Sequence, residues 1–179
     1  MLVGELVCLG PVETFHLKKI LEWRNNEFFR KHFREHKEIS YSQQLKWFQQ
    51  IDNKNNLNEY MFAIYLTKSN EFIGVCGINH IDWINRNCQL SLFIGKNLLY
   101  IDNNGWANES VKLLEKYTFF SLNLIKIYVE VYEFDSQRYG LLESLGYEKE
   151  ARLQKQIYKD GKFYDSFIYS KFKKDTNDN

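Results

Sequence analysis

The sequence reads Asp102-Asn103-Asn104-Gly105-Trp106-Ala107-Asn108-Glu109 between a predicted strand over residues 88–94 and a predicted helix over 106–120. The strand alternates in hydropathy, and the helix carries an apolar stripe at helical spacing. Gly105 allows backbone angles that other residues avoid, and the first amides of a helix lack acceptors within it. With the helix dipole, these amides favour an anion such as a pyrophosphate. The join therefore predicts an anion site or a plain connection, and the turn alone does not choose between them.

The composition is that of one folded domain. The chain has 179 residues, with 24 Lys and Arg against 23 Asp and Glu, and 17% of its residues are aromatic. A net charge of +1 argues against broad electrostatic capture of nucleic acid, which needs clustered basic residues. We predict a single domain over residues 1–172 and a polar tail over 173–179.

The absence of targeting signals and the cysteine pattern favour the cytoplasm. The sequence opens with no basic and apolar leader, and no apolar run approaches the roughly 18 residues that a membrane span needs. Cys8, Cys76 and Cys88 lie far apart in apolar stretches, as buried free thiols do in a reducing compartment. We expect a cytoplasmic protein that binds no membrane.

Periodicity and turn signals predict a mixed α+β fold. Strands and helices follow in the order β, α, α, β, β, β, α, β, α, β, β, which does not match regular βαβ winding. Gly146 stands where a helix usually ends, and Lys159-Asp160-Gly161-Lys162 marks a hairpin. The order predicts a central mixed sheet of about seven strands with about four helices.

Two other kinds of site are weaker interpretations. His32-Phe33-Arg34-Glu35-His36 matches the H-x-x-E-H pattern of one zinc peptidase group, but the charged segment offers little apolar support for a buried metal helix. A Gly-x-Ser-x-Gly elbow and a Cys-x-x-Cys pair are both lacking. We therefore predict no metal site.

The element order and the join at 102–109 resemble the GCN5-related N-acetyltransferase (GNAT) superfamily, over about residues 21–172. Glu22-Trp23-Arg24-Asn25 resembles the entry helix of its ribosomal-protein N-terminal acetyltransferase branch. Leu145-Gly146-Tyr147, Glu150-Ala151-Arg152 and residues 160–165 resemble that branch's C-terminal end. The pattern is also similar to a relative in pseudaminic-acid synthesis that acetylates a nucleotide-linked amino sugar. The resemblance implies a mostly antiparallel sheet and acetyl transfer from acetyl-CoA to an amine.

The resemblance also implies where the cofactor lies. Leu92, Phe93 and Ile94 would lie beside the pantetheine arm and the thioester. The loop would hold the pyrophosphate, and its residues are Asn103, Asn104, Gly105, Trp106, Ala107 and Asn108. Asp135 is a further candidate for cofactor binding. Asp102 stands where the family has a basic or amide residue, and it would repel a pyrophosphate unless it points away.

Three residues are candidates for proton transfer. The family's general-acid tyrosine matches Leu142 here, and Tyr139, one turn earlier, could substitute for it. Glu130, which shares a strand face with Tyr128 and Tyr132, is the first candidate base, because desolvation by the aromatics would raise its pKa. An exposed Glu130 paired across the sheet is the competing interpretation. His80 is the second candidate base.

The acceptor is the least determined part of the prediction. The candidate acceptor residues are Trp23, Arg24, Asn25, Arg30, Trp83 and Arg152. Arginine suits a diphosphate and tryptophan suits a sugar or base face, so a nucleotide-linked amino sugar comes first. A ribosomal-type protein N-terminus and a catalytically decayed CoA-binding or protein-binding module stay open, and so does a homodimer.

Overall fold

The computed structural model describes residues 1–35 and 37–174 and has a mixed α+β fold. One sheet contains eight strands in the order β1-β2-β3-β4-β5-β6-β8-β7. The strands are β1 Leu2–Val3, β2 Val7–Pro11, β3 Tyr60–Leu66, β4 Phe72–Asp82, β5 Asn87–Ile94, β6 Lys126–Tyr132, β7 Glu148–Lys159 and β8 Lys162–Phe172. The helices are α1 Leu17–Asn25, α2 Glu27–Arg30, α3 Tyr41–Ile51, α4 Trp106–Lys116 and α5 Ser136–Ser144.

The predicted fold class is confirmed, with one more strand and one more helix than expected. The first predicted strand is divided into β1 and β2 by a turn, whose Gly4 amide donates to Val7 at 2.9 Å. The extra helix is the four-residue α2, capped by Asn26 through the Phe28 amide. The tail predicted over 173–179 lies, from residue 175 onward, outside the described residues.

The sheet opens between β5 and β6, the one parallel pair among the described strands. Their register runs only from Asn87 paired with Lys126 to Gln89 paired with Tyr128. Beyond these pairs β5 stays with β4 as far as Ile94, while β6 stays with β8. The two strands therefore diverge, and the later residues of β5 turn one edge toward a gap, which we call the wedge.

Helix α4 covers the sheet with an apolar face and begins near the wedge. Ala107, Val111 and Leu114 are fully buried on that face, as the helical spacing in the sequence predicted. The helix begins one residue after Gly105, whose φ of 89° is in the left-handed region that favours glycine. It is continued by a π-helical turn, Tyr117–Ser121, so the predicted helix ends in a distorted segment. None of the described helices is long and apolar enough to span a membrane.

Candidate active site

A cavity of about 380 Å³ lies at the wedge, and we call it the inner cavity. Five residues that the sequence predicted for catalysis or binding line it together: Arg24, His80, Leu92, Glu130 and Asp135. They come from α1, β4, β5, β6 and the residue before α5, so the divergence of the sheet brings them to one place. The cavity is the candidate active site.

A buried polar cluster closes one side of the inner cavity. The Tyr100 hydroxyl donates to Asp135 Oδ2 at 2.8 Å, and Arg138 donates to the Tyr100 oxygen from Nε and Nη2 at 2.9 and 2.7 Å. Burial raises the pKa of Tyr100 far above its ordinary value. Burial alone would also raise the pKa of Asp135, but contacts with His32, Arg138 and Tyr100 outweigh it and lower that pKa. Asp135 is therefore a buried carboxylate with positive and hydrogen-bonding neighbours.

His32 lies against this cluster. Its imidazole stacks on the Tyr100 ring with centroids 3.9 Å apart, and its Nδ1 lies 3.2 Å from Asp135 Oδ2. Sequence reasoning treated His32 as part of a solvated turn and missed Tyr100 and Arg138 as well. The spacing of His32 and Glu35 gave no signal for this position, because the contacts join segments that are far apart in the chain.

Glu130 and His80, the two candidate bases, both reach the inner cavity. Glu130 pairs with Arg34 and accepts from the Ser166 hydroxyl at 2.6 Å, so both carboxylate oxygens have partners. The sequence predicted an aromatic environment for Glu130, whereas in the structure the Arg34 guanidinium balances the charge of the Glu130 carboxylate. His80 is exposed, and its backbone lies in the left-handed region with a φ of 49°. Its Nδ1 lies 3.0 Å from Asn79 Oδ1.

The backbone amides of the loop before α4 are bonded to an aspartate of the same loop. Asp102 Oδ2 accepts from the amides of Asn104 and Trp106 at 2.7 and 3.0 Å, and Oδ1 accepts from Ala107 at 2.7 Å. The carboxylate does not point away from the predicted pyrophosphate position but caps the helix there. Among the described residues, the amide of Asn108 has no acceptor, so part of the helix start stays available.

The edge of β5 that faces the wedge is also partly occupied. Arg138 Nη2 donates to the Leu92 carbonyl at 2.7 Å. Tyr100 exchanges two backbone hydrogen bonds with Ile94, at 2.8 and 2.9 Å. A pantetheine arm along Leu92 would have to displace the Arg138 guanidinium. The cofactor residues stay a prediction, and in this structure Asp102 and Arg138 occupy the amides and the carbonyl that the prediction assigns to acetyl-CoA.

The family profile of the acetyltransferase (GNAT) domain matches residues 7–148 of the chain. The chain belongs to the GNAT acetyltransferase family. This membership supports an acetyl-CoA-dependent N-acetyltransferase, with acetyl-CoA as co-substrate.

The GNAT chain is also similar to two bacterial proteins named as N-acetyltransferases. It is 32% identical over 114 residues to uncharacterized N-acetyltransferase p20 of Bacillus licheniformis, across 64% of this chain and 62% of that protein. It is 32% identical over 65 residues to the SPbeta prophage-derived uncharacterized N-acetyltransferase YokL of Bacillus subtilis, across 36% of this chain and 37% of that protein. The chain thus matches less than two thirds of the length of either relative. These matches do not show the ribosomal-protein branch or the pseudaminic-acid relative.

Solved structures match over almost the whole chain. A spermidine N-acetyltransferase from Vibrio cholerae, in complex with CoA and spermine, superposes with a TM-score of 0.85 at 21% identity. The match covers 94% of this chain and 96% of that one. A dodecameric structure of spermidine N-acetyltransferase from Vibrio cholerae gives a TM-score of 0.76 at 20% identity, covering 94% and 95%. At these identities the likeness establishes the GNAT fold.

The position of the family tyrosine holds a core residue in this GNAT chain. Leu142 is fully buried. The Tyr139 hydroxyl donates to the Tyr132 carbonyl at 2.7 Å, and its ring stacks on Tyr169. Tyr139 does not line the inner cavity in this structure, because its hydroxyl is engaged at the end of β6.

Two predicted acceptor residues are structural. Trp23 is 4% exposed and packs against Phe72 and Phe93, so it belongs to the core. Asn25 exchanges two hydrogen bonds of 2.8 Å with the backbone of Ile39. Both residues shape the segment that carries α1 and α2, which corrects the prediction that they contact the acceptor.

The predicted acceptor arginines all have acidic neighbours. Arg24 lines the inner cavity; burial lowers its pKa, and the charges of Glu35 and Glu59 act against that shift. Arg30 lies 3.5 Å from Glu38, and Arg152 lies 2.5 Å from Asp165. Arg30 and Arg152 do not line the inner cavity. The described arginines therefore do not form a free pair for a diphosphate acceptor.

A second cavity, which we call the outer groove, adjoins the inner one. It has a volume of about 710 Å³ and shares Asn79 and His80 with the inner cavity. Glu59, Asp82 and Trp83 also line it. Trp83 is 39% exposed, with its indole N–H donated to the Leu57 carbonyl, so the ring is fixed with part of its surface in the groove. The outer groove thus combines an aromatic surface with two carboxyl groups.

Proposed function

We propose that this GNAT chain transfers an acetyl group from acetyl-CoA to a small primary amine by direct attack. The main support for this proposal is the wedge, where β5 and β6 diverge and expose the edge of β5. Beside that edge lies a cavity of about 380 Å³ that is lined by proton-accepting side chains. An aliphatic ammonium must lose a proton before its nitrogen attacks the thioester carbonyl. As the new C–N bond forms, the nitrogen loses a second proton, the C–S bond breaks with its electron pair on sulfur, and the thiolate takes up one proton.

The residues of the inner cavity would bind and orient the amine and take its proton. Glu130 and His80 stay the proposed bases from the sequence, acting directly or through a water. Because Glu130 is already paired with Arg34 and Ser166, it suits the binding of an ammonium better than free proton exchange. His80 lies at the boundary with the outer groove, where an entering amine would pass it.

A polyamine suits the outer groove better than a nucleotide-linked amino sugar does. With one amine in the inner cavity, the remaining ammonium groups of an extended chain would lie along the groove. Glu59 and Asp82 offer opposite charge there, and an ammonium over the Trp83 ring would gain a cation–π contact. The described arginines near the site already have carboxylate neighbours, which disfavours a diphosphate acceptor. The names of the V. cholerae structural relatives, spermidine N-acetyltransferases, agree with this choice.

A substrate panel tests the proposal. Purified full-length protein with acetyl-CoA is mixed with spermidine or spermine, with a UDP-linked amino sugar, or with ribosomal-protein N-terminal peptides. Released thiol gives the rate, and the mass of the product identifies the acceptor. We expect acetylation of the polyamines with the highest kcat/KM. A faster reaction of the sugar or the peptide would replace the substrate class, and CoA binding without any product would favour a decayed module.

Trp83→Ala tests the outer groove separately. Loss of a cation–π contact worth about 0.5–2 kcal/mol should raise KM for spermine roughly 2- to 30-fold. A short monoamine that ends in the inner cavity is the matched substrate, and its KM should not change. Equal effects on both amines would remove the outer groove from the proposal.

A homodimer also stays a proposal. One structural relative is described as dodecameric, which is a statement about that protein alone. Analytical ultracentrifugation of the full chain, with and without spermine, would give the oligomeric state directly.

A further inference from the structure

A buried histidine at the inner cavity has no assigned role. The His32 side chain is 5% exposed, and neither ring nitrogen has a regularly aligned hydrogen-bond partner among the described residues. Most buried polar groups in proteins are satisfied, so an unsatisfied imidazole that lines a cavity needs an explanation. A structural histidine would instead resemble His16, whose two nitrogens are bonded to the Glu13 amide and the Tyr65 hydroxyl at 2.8 and 2.6 Å.

The surroundings of His32 fix its ring. Tyr100 stacks beneath the imidazole at 3.9 Å with an interplanar angle of 18°, and Phe28 and Phe134 approach it with centroids 6.0 Å away. Asp135 Oδ2 lies 3.2 Å from Nδ1 and is itself held by the Tyr100 hydroxyl. A carboxylate beside Nδ1 favours the tautomer with the proton on that nitrogen, which leaves the lone pair on Nε2.

We propose that His32, in place of Glu130 and His80, is the catalytic base of the inner cavity and that Asp135 is its positioning residue. This proposal rests on the proposed amine acetylation. The acceptor ammonium first releases one proton to solvent, and the lone pair of the neutral amine attacks the thioester carbonyl. As the C–N bond forms, Nε2 of neutral His32 accepts the second proton from that nitrogen, and the C–S bond breaks with its electron pair on sulfur. The imidazolium then gives its proton to the departing thiolate. One group thus serves both steps in a chain that has Leu142 at the family tyrosine position.

Several charged and titratable groups around His32 influence this role. Asp135 stabilises the imidazolium, whereas Arg138, which lies 3.6 Å from the same carboxylate oxygen, partly offsets it. Tyr100 stays neutral because burial raises its pKa. The remaining groups that line the inner cavity are Arg24, Arg34, Glu35, His80, Glu130 and Tyr132. The Arg34–Glu130 pair is neutral overall.

Kinetic variants test the role of His32. His32→Gln should lower kcat/KM for spermidine by roughly 10²- to 10⁴-fold and remove the limb on the acid side of the pH–rate profile, where protonation of the base stops the reaction. Asp135→Asn keeps an oxygen that can cap α5 through the Arg138 amide, so it removes mainly the charge. It should lower kcat, because the imidazole loses the carboxylate that lies beside its Nδ1 and orients the ring. Restoration of activity to His32→Ala by free imidazole would support a chemical role over a structural one.

His80→Gln is the discriminating comparison, because His80 lines the same cavity. If His80→Gln removes the pH limb and His32→Gln keeps it, the proposal is overturned. Circular dichroism and thermal unfolding of each variant identify any loss that comes from misfolding. If His32→Gln is misfolded, two other measurements decide the role of His32: the rescue of His32→Ala by imidazole and the kinetics of Asp135→Asn.

Nitrogen NMR of the imidazoles gives a result that does not need turnover. The neutral ring of His32 should carry its proton on Nδ1, and Asp135→Asn should remove the preference for that tautomer. If wild-type protein acetylates no amine on the panel, the proposed function fails, but this spectrum still decides the His32–Asp135 arrangement. A proton on Nε2 in the neutral ring of the wild-type protein, or a tautomer preference unaffected by Asp135→Asn, would overturn the arrangement.

Discussion

Replacement of Asp102 by asparagine should tighten the binding of CoA. The Asp102 carboxylate accepts from the amides of Asn104, Trp106 and Ala107 at 2.7, 3.0 and 2.7 Å, where the family resemblance places a diphosphate. Two unit charges about 4 Å apart interact by about 4 kcal/mol at an effective dielectric constant of 20. Displacement of the side chain and screening by salt reduce that repulsion. We therefore expect Asp102→Asn to lower the Kd for CoA by roughly 10- to 100-fold, or about 1.4–2.8 kcal/mol.

The same substitution should destabilise the protein without ligand. Asparagine keeps one oxygen for the Ala107 amide, but its NH₂ group would face the amides of Asn104 and Trp106. Donors left without an acceptor cost about 1–3 kcal/mol when buried. For a chain of this size, each kcal/mol lowers Tm by about 2–4 °C. If Asp102 competes with the diphosphate, Asp102→Asn should bind CoA more tightly and be less stable without ligand. General damage to the loop would instead lower both the CoA affinity and the stability.

Calorimetric titration with CoA measures the affinity, and pantetheine, which lacks the diphosphate, is the matched ligand. Glu109→Gln is the matched variant, because Glu109 is also a carboxylate that accepts from three backbone amides, and it lies in the first turn of α4. The Glu109 carboxylate accepts from the amides of Glu5, Leu6 and Val7 and lies away from the predicted diphosphate. We expect Asp102→Asn to tighten CoA but not pantetheine, and Glu109→Gln to change neither. Unchanged or weaker CoA binding by Asp102→Asn would refute the competition and indicate that the carboxylate holds the loop in its binding shape.

Three further substitutions have expected outcomes. Gly95→Ala should cost about 1–3 kcal/mol in the unfolding free energy measured by denaturant, since a Cβ at this position would meet the Trp23 ring. Leu142→Tyr should also lose stability and should not raise kcat, because Leu142 is fully buried and a tyrosine there would overpack the core. The pKa of Asp135 lies below its ordinary value of 3.8, so its ionisation stabilises the fold above that pH and the contribution is lost as the pH falls through the lower pKa of the folded state. Asp135→Asn should therefore flatten the acid side of the curve of unfolding free energy against pH.

Much of the fold could be predicted because its signals are local. The apolar stripe of α4 and the turn residues near Gly105 and Gly161 depend on spacing within about ten residues, and the structure has a helix or turn at each place. The four-residue α2 was missed, because its cap at Asn26 and its single turn leave too short a periodic pattern. The division of the first strand into β1 and β2 was missed for the same reason.

The polar contacts of the candidate site could not be predicted, because they join distant segments. Arg138 reaches Leu92 across 46 residues of sequence, and Tyr100 reaches Asp135 across 35. The position of His32 depends on a stacking contact with Tyr100 that no periodicity encodes. Resemblance to a family predicted Leu92 and Asp135 at the cofactor side, but their partners in this chain are its own side chains.

The self-contacts of Asp102 and Arg138 have a consequence for cofactor affinity. Asp102 gives the first amides of α4 a negative partner, as a diphosphate would, and Arg138 gives the Leu92 carbonyl a donor, as a pantetheine amide would. Each self-contact therefore satisfies the protein group that the corresponding part of CoA would satisfy. A ligand gains only the difference between its own contacts and those it displaces. The site is consequently stabilised without ligand, and we expect weaker CoA binding than in a GNAT chain with a glutamine or arginine at the position of Asp102.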